Sequence, residues 1–147
     1  AGGSGIVVIR YATPELDYEE GSWTPAPHAG GTVMSTSGGT VGGEYVRIGK
    51  TCTITMNLWG ISKGAHSGHL TVPNLPFTAG GQQAYFAGLQ NYYASAYAPQ
   101  PVWQIDAATS IAHAYDTGAG STWIANYEAE DLNVYLFFRG SATYIIA

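Results

Sequence analysis

The chain has 147 residues, of which 46% are hydrophobic and only 10% are charged, and its formal net charge is −5. Nucleic acids and anionic membrane surfaces both bind clustered positive charge, so the five scattered cations argue against either partner. These cations are Arg10, Arg47, Lys50, Lys63 and Arg139. A chain of single-domain length with so little charge would expose much uncharged surface, and we therefore expect it to bury part of that surface between subunits.

Residues 1–17 are predicted to form a connector that precedes the domain at 18–147. They start with a glycine-rich stretch, continue as a β-branched run at 6–11 that is typical of a strand, and end near Pro14, which cannot donate to a strand ladder. The start at Ala1, without a methionine, is expected of a piece of a longer chain. No run approaches the ~18 apolar residues of a membrane-spanning helix, so we expect no membrane insertion.

The strongest strand signal is the segment 51–58, in which polar and apolar residues alternate strictly and predict one buried face. The residues of that face are Cys52, Ile54, Met56 and Leu58. A tight turn is predicted at 49–50, and the run 45–48 predicts the partner strand of a hairpin. Cys52 is expected to be a buried, unreactive thiol, and as the only cysteine it excludes an intrachain disulfide.

Further segments with strand-like composition follow, separated by residues that favour turns. They are 69–73, 83–89, 102–106, 121–127, 132–138 and 142–146, with Gly140 between the last two. Only 105–115 has a spacing that could suit a turn or two of helix. Many short strands with turn signals between them predict an all-β fold, an antiparallel β-sandwich or jelly-roll-like domain.

Four motifs, taken in order, give the chain a family resemblance. Residues 20–25 read Glu-Gly-Ser-Trp-Thr-Pro, residues 43–49 read Gly-Glu-Tyr-Val-Arg-Ile-Gly, and residues 75–77 read Leu-Pro-Phe. Residues 140–147, Gly-Ser-Ala-Thr-Tyr-Ile-Ile-Ala, look like a closing strand. Together with the long alternating strand, these motifs resemble the C-terminal receptor-binding domains of bacteriophage tail fibres.

The resemblance implies a virion protein rather than an enzyme, with no cofactor and no metal. It implies an intertwined homotrimer, assembled in the host cytoplasm, that joins other virion proteins through its N-terminal segment. Its ligand would be a polysaccharide or lipopolysaccharide of the host surface, bound during adsorption. One alternative is a structural virion protein, a head fibre or a capsid decoration, that binds no receptor. A further alternative is a carbohydrate-binding module or depolymerase of a cellular enzyme.

The motif residues themselves are predicted to build the scaffold. Trp23 and Phe77 are expected to be core aromatics, and Gly43 and Gly49 to adopt backbone φ angles closed to other residues. Such residues leave the binding site to other parts of the chain.

The best candidate for a binding surface is the segment from Gln90 to Trp123, which mixes aromatic rings with amides and carboxylates. Sugars present C–H faces that stack on rings and hydroxyls that bond to polar groups, so this mixture favours a glycan. The predicted contact residues are Asn91, Tyr92, Tyr93, Tyr97, Gln100 and Trp103. The same segment contains Gln104, Asp106 and Tyr115. The alternative is that its rings pack in the core or at a subunit interface, where tyrosine and tryptophan are also enriched.

Other constellations have simpler interpretations. His66 and His69 could ligate a metal, but no carboxylate or cysteine lies nearby in sequence, and a polar loop is the simpler interpretation. His28 and His113 are isolated and are expected to be structural. An acidic cluster contains Glu128, Glu130 and Asp131. Paired carboxylates could hydrolyse a glycoside, but a charged turn is the simpler interpretation, and no serine-nucleophile motif is present, so we predict no enzymatic activity.

Overall fold

The computed structural model describes residues 17–36, 38–90, 101–116, 125–126, 129 and 135–147. These residues form antiparallel strands and contain no α-helix. The strands are β1 (Tyr18–Trp23), β2 (His28–Ala29), β3 (Thr32–Val33), β4 (Thr40–Ile48), β5 (Thr51–Ser62), β6 (Leu70–Val72), β7 (Ala84–Tyr85), β8 (Ala87–Gln90), β9 (Pro101–Ile105), β10 (Ala112–Asp116), β11 (Ala125–Asn126) and β12 (Tyr135–Ile145).

The described strands form two sheets, which confirms the predicted all-β sandwich. The five-stranded sheet has the order β1-β4-β5-β12-β8, and the seven-stranded sheet has the order β3-β2-β6-β10-β9-β7, with β11 paired to β10. Trp103 of β9 and Phe138 of β12 meet between the sheets with ring centroids 5.7 Å apart, and Phe86 packs edge-on against Phe138 at 5.8 Å. The core therefore lies between the sheets, and each sheet keeps one outer face.

The predicted hairpin is confirmed, since β4 and β5 pair around a turn in which Gly49 has a φ of 57°. A left-handed φ favours glycine because a Cβ would crowd the neighbouring carbonyl. The apolar side chains predicted to share one face of β5 are at most 1% exposed. Burial also raises the pKa of the Cys52 thiol, which favours its protonated, unreactive form.

The predicted break at Gly140 is wrong. The segments 132–138 and 142–146 both contribute to β12, a single strand that continues through this glycine. A Cβ at Gly140 would lie 2.6 Å from Cζ of Phe138 and 2.7 Å from the carbonyl oxygen of Ala87. Glycine is therefore required for close packing inside the strand, and it does not end the strand.

Two other boundaries differ from the prediction, whereas 69–73 and 102–106 are confirmed as β6 and β9. The segment 83–89 divides into β7 and β8, which belong to different sheets. The segment 105–115 contains no helical turn: β9 ends, a short turn follows, and β10 begins. In that turn, Thr109 Oγ1 donates to the Asp106 carbonyl at 2.9 Å. The predicted strand at 6–11 and most of 121–127 lie outside the described residues.

The motif residues pack together where β1, β4 and β5 meet. The indole Nε1 of Trp23 donates to the Thr55 carbonyl at 3.1 Å, and a Cβ on Gly43 would lie only 2.2 Å from that nitrogen. Gly43 has no left-handed φ, so the prediction of a special backbone angle is wrong there, and the glycine instead provides space. Phe77 packs edge-on against Tyr45 at 5.2 Å and, like Trp23, lies partly buried against the core.

Candidate functional site

A row of polar and aromatic side chains crosses the outer face of the seven-stranded sheet. Paired residues of neighbouring antiparallel strands point to the same face. The register pairs Thr71 with His113, His113 with Gln104, and Gln104 with Tyr85. The alternate residues of β9 and β10 are buried on the inner face, namely Trp103, Ile105, Ala112 and Ala114. The row therefore lies on the outside of the sandwich.

Three more residues extend the row. Tyr115 follows His113 by two positions on β10, and Asp106 follows Gln104 by two, so each shares its face. The ring of His69, just before β6, lies 4.9 Å from that of His113 and 5.7 Å from that of Tyr115. We call His69, Gln104, Asp106, His113 and Tyr115 together the polar cluster.

The carboxylate of Asp106 is the centre of the polar cluster. Gln104 Nε2 donates to its Oδ1 at 2.7 Å, and His113 Nε2 lies 3.4 Å from its Oδ2. Tyr115 lies near this carboxylate as well: burial first, and then the negative charge of Asp106, raise the pKa of Tyr115. The hydrogen bond from Gln104 orients the carboxylate, and His113 and Tyr115 of the neighbouring strand flank it.

The two histidines differ in their hydrogen bonding. His69 Nε2 donates to the Ala114 carbonyl at 2.9 Å, which fixes its ring against β10. His113 Nδ1 is buried and has no hydrogen-bond partner in the described part of the chain. Burial lowers the pKa of His113, although the Asp106 charge raises it and His69 lowers it further. A histidine on an outer face whose pKa is shifted by burial and by a neighbouring carboxylate is a feature of many functional sites.

One edge of the polar cluster is open to solvent. Gln104 is only 4% exposed, whereas Tyr85, its partner on β7, is 52% exposed. An exposed ring beside a shielded, oriented carboxylate offers a stacking surface and a hydrogen-bond acceptor together. This arrangement suits binding of a polyhydroxylated ligand. Among the described residues, no group of three or more His, Cys, Asp or Glu side chains is arranged to hold a metal ion.

Most of the residues predicted to contact a glycan lie outside the described residues: Asn91, Tyr92, Tyr93, Tyr97 and Gln100. Trp103 is described and is 0% exposed, because it occupies an inward position of β9. Its ring therefore packs in the core, as the alternative interpretation of the aromatic segment has it, and the prediction that it contacts ligand needs correction. The acidic cluster Glu128, Glu130 and Asp131 also lies outside the described residues.

The sequence did not predict the histidines of the polar cluster. His113 was expected to be isolated and His69 to be part of a loop, since 45 positions separate Ala114 from His69 along the chain. The strand register of β6 and β10 brings them together, and no local pattern shows that register. One signal was present: Ile111, His113 and Tyr115 alternate with alanines, which is typical of a strand with a distinct outer face.

Two depressions on the five-stranded sheet are weaker candidates. They have volumes of about 410 and 490 Å³ and lie along β1 and β4. Their aromatic side chains are engaged in structural hydrogen bonds, since the Tyr45 hydroxyl donates to Glu19 at 2.9 Å and Trp23 donates to Thr55. The exposed ring next to the first depression, Tyr18, likewise donates its hydroxyl to the carboxylate of Glu20, which lines that depression.

Comparison with protein-family models and with curated proteins finds no match to this chain. In the part of the chain that the structure describes, no helix has the length and apolar character needed to cross a membrane.

Proposed function

We propose that this chain is the receptor-binding domain of a phage tail fibre and that the outer face of its seven-stranded sheet binds a glycan of the bacterial surface. The motif resemblance and the two-sheet sandwich support the class of protein. The observation that carries the binding proposal is the Asp106 carboxylate, oriented by Gln104 and flanked by His113 and Tyr115, on the sheet face that also carries the exposed ring of Tyr85, the register partner of Gln104. Sugar hydroxyls would donate to the carboxylate, and a sugar C–H face would stack on the tyrosine.

Binding to immobilised polysaccharides tests this proposal. Lipopolysaccharides and capsular polysaccharides from a panel of bacteria would be presented to the chain and to two variants, Tyr85→Ala and Asp106→Asn. We expect each variant to weaken binding about 10- to 100-fold, the usual cost of removing a central contact. Val33→Ala is the matched control, because Val33 is exposed on the same face at the opposite edge of the sheet.

The outcomes separate the alternatives. Thermal melting of each variant would show whether lost binding reflects lost folding. Binding by the native chain that neither variant changes would contradict the assignment of the surface. A chain that binds no polysaccharide and no bacterial cell, yet is found in purified virions, would favour the structural virion protein instead.

We also propose that three copies associate through one end of the five-stranded sheet. Tyr18, Val46, Ile48 and Ile145 are exposed there on the outer face, and we call them the apolar end. The register places Tyr18 beside Ile48, Thr51 between Ile48 and Ile145, and Val46 beside Glu20, so the four apolar side chains lie near one another on a face that also carries polar groups. Its association would bury uncharged surface in a chain with few charges.

A further inference from the structure

An aromatic group on the other sheet has no place in the proposed function. Trp59 of β5 and Phe137 of β12 are register partners on the outer face of the five-stranded sheet, with ring centroids 4.8 Å apart and nearly perpendicular planes. Tyr135 lies 6.1 Å from Phe137 and is 44% exposed. We call Trp59, Tyr135 and Phe137 the aromatic platform.

A β-bulge builds this platform. Leu58 and Ile61 both point into the core, so the alternation of β5 shifts by one residue at Gly60. The register with β12 shifts at the same level, between Leu136 and Phe137. Gly60 has a φ of 71°, which an L side chain rarely adopts. The bulge keeps Trp59 on the outer face opposite Phe137.

A guanidinium group completes the platform. The Arg139 guanidinium lies over the Trp59 ring, 4.3 Å from its centroid, and its Nε donates to Asn57 Oδ1 at 3.0 Å. In the described part of the chain, no carboxylate forms an ion pair with Arg139. Because Trp59 holds one face of this guanidinium and Asn57 accepts from its Nε, the group is pre-organised. Its remaining N–H groups can donate two parallel hydrogen bonds to a planar anion such as a carboxylate.

We propose that the aromatic platform and Arg139 form a second site, which binds a carboxylated sugar. The guanidinium lies 4.3 Å and the Phe137 ring 4.8 Å from the centroid of the same Trp59 ring, so the two are near enough to each other for one sugar ring and its carboxylate. Tyr135, two residues further along, is placed to stack on the next ring. Trp59 positions the guanidinium from beneath and does not itself contact the sugar. Because the net charge is −5, long-range attraction does not favour an anion, and specificity depends on these short contacts.

Titration with oligogalacturonic acid and with its fully methyl-esterified form tests the proposal. The two probes share their rings and differ in the charge of the carboxylate. We expect the native chain to bind the acid at least about 10-fold more tightly than the ester, and Arg139→Gln to remove that difference. Arg139→Lys should recover part of it, since lysine keeps the charge without the planar fork. Tyr135→Ala should weaken both probes.

Lys50→Gln is the matched control, because it removes an exposed cation at the far end of the same sheet, in the β4–β5 turn. It should leave the preference for the acid unchanged. Equal affinity for acid and ester, loss of the preference in Lys50→Gln, or its persistence in Arg139→Gln would overturn the proposal. Failure of the native chain to bind either probe at millimolar concentration would also overturn it. The preference for the acid reports on Arg139 alone, because the Asp106 carboxylate of the polar cluster would disfavour the acid, so the proposed function is tested separately.

Discussion

At the scale of single residues, burial and neighbouring charges shift the pKa of His113 in opposite directions. Burial lowers the pKa of its imidazole from the ordinary value of 6.5, the Asp106 carboxylate raises it, and His69 lowers it. With a depressed pKa in the folded state, the unfolded chain takes up the proton more readily. The stability that a neutral His113 contributes is therefore complete above pH 6.5, and it is lost as the pH falls through the folded-state pKa.

We predict that His113 titrates below pH 6.5 in the folded chain. Asp106→Asn should lower its pKa further, because the substitution removes the charge that favours the imidazolium. An NMR titration of the His113 ring protons checks both statements. Urea unfolding should show stability falling as the pH decreases below 6.5, less steeply in His113→Gln. A His113 pKa above 6.5 would mean that the Asp106 charge outweighs burial.

At the scale of elements, the contact between β1, β4 and β5 depends on the absence of a side chain at Gly43. We predict that Gly43→Ala destabilises the fold by about 1–3 kcal/mol, the usual cost of overpacking, because its Cβ would meet Trp23 and Thr55. Gly42→Ala is the control, since a Cβ there meets nothing within 4 Å and its φ is not left-handed. Denaturant melts of both variants provide the measurement, and equal stabilities would contradict the packing argument.

The elements also show which parts of the fold the sequence could predict. The β4–β5 hairpin was predictable because alternation in β5 and the glycine turn are local signals. The continuity of β12 was not, because Gly140 resembles a turn residue until the positions of Phe138 and Ala87 are known. Trp103 shows the same limit. The composition of its segment suits a binding surface, whereas its position in the alternation of β9 points it into the core.

The candidate site was predictable only in part. The segment that contains Gln104, Asp106 and Tyr115 was predictable, because rings and polar groups are interleaved there. His69 and Tyr85 were not, because they reach the cluster through β6 and β7. Strand register between distant segments decides which side chains meet, and that register cannot be predicted from local patterns in a single sequence.

At the scale of the whole molecule, the two outer faces differ in chemistry. The seven-stranded sheet presents the polar cluster, and the five-stranded sheet presents the apolar end and, some eight residues along β5, the aromatic platform. Asp17 is fixed beside the apolar end, because its carbonyl accepts from Gly49 N at 2.7 Å and its carboxylate pairs with Arg47. The described part of the chain therefore begins beside the surface proposed for association.

We predict that the chain has three times its 15.5 kDa mass in solution, and that Ile48→Glu dissociates it. The substitution places an unpaired charge in the proposed contact, at a cost of about 3–5 kcal/mol, so association should weaken more than about 100-fold. Light scattering or sedimentation at micromolar concentration measures the mass. Val33→Glu is the control, because Val33 is 58% exposed on the other sheet, and it should remain trimeric. A single 15.5 kDa species for the native chain would refute the trimer. A trimer that Ile48→Glu leaves intact would show that the subunits meet through another surface.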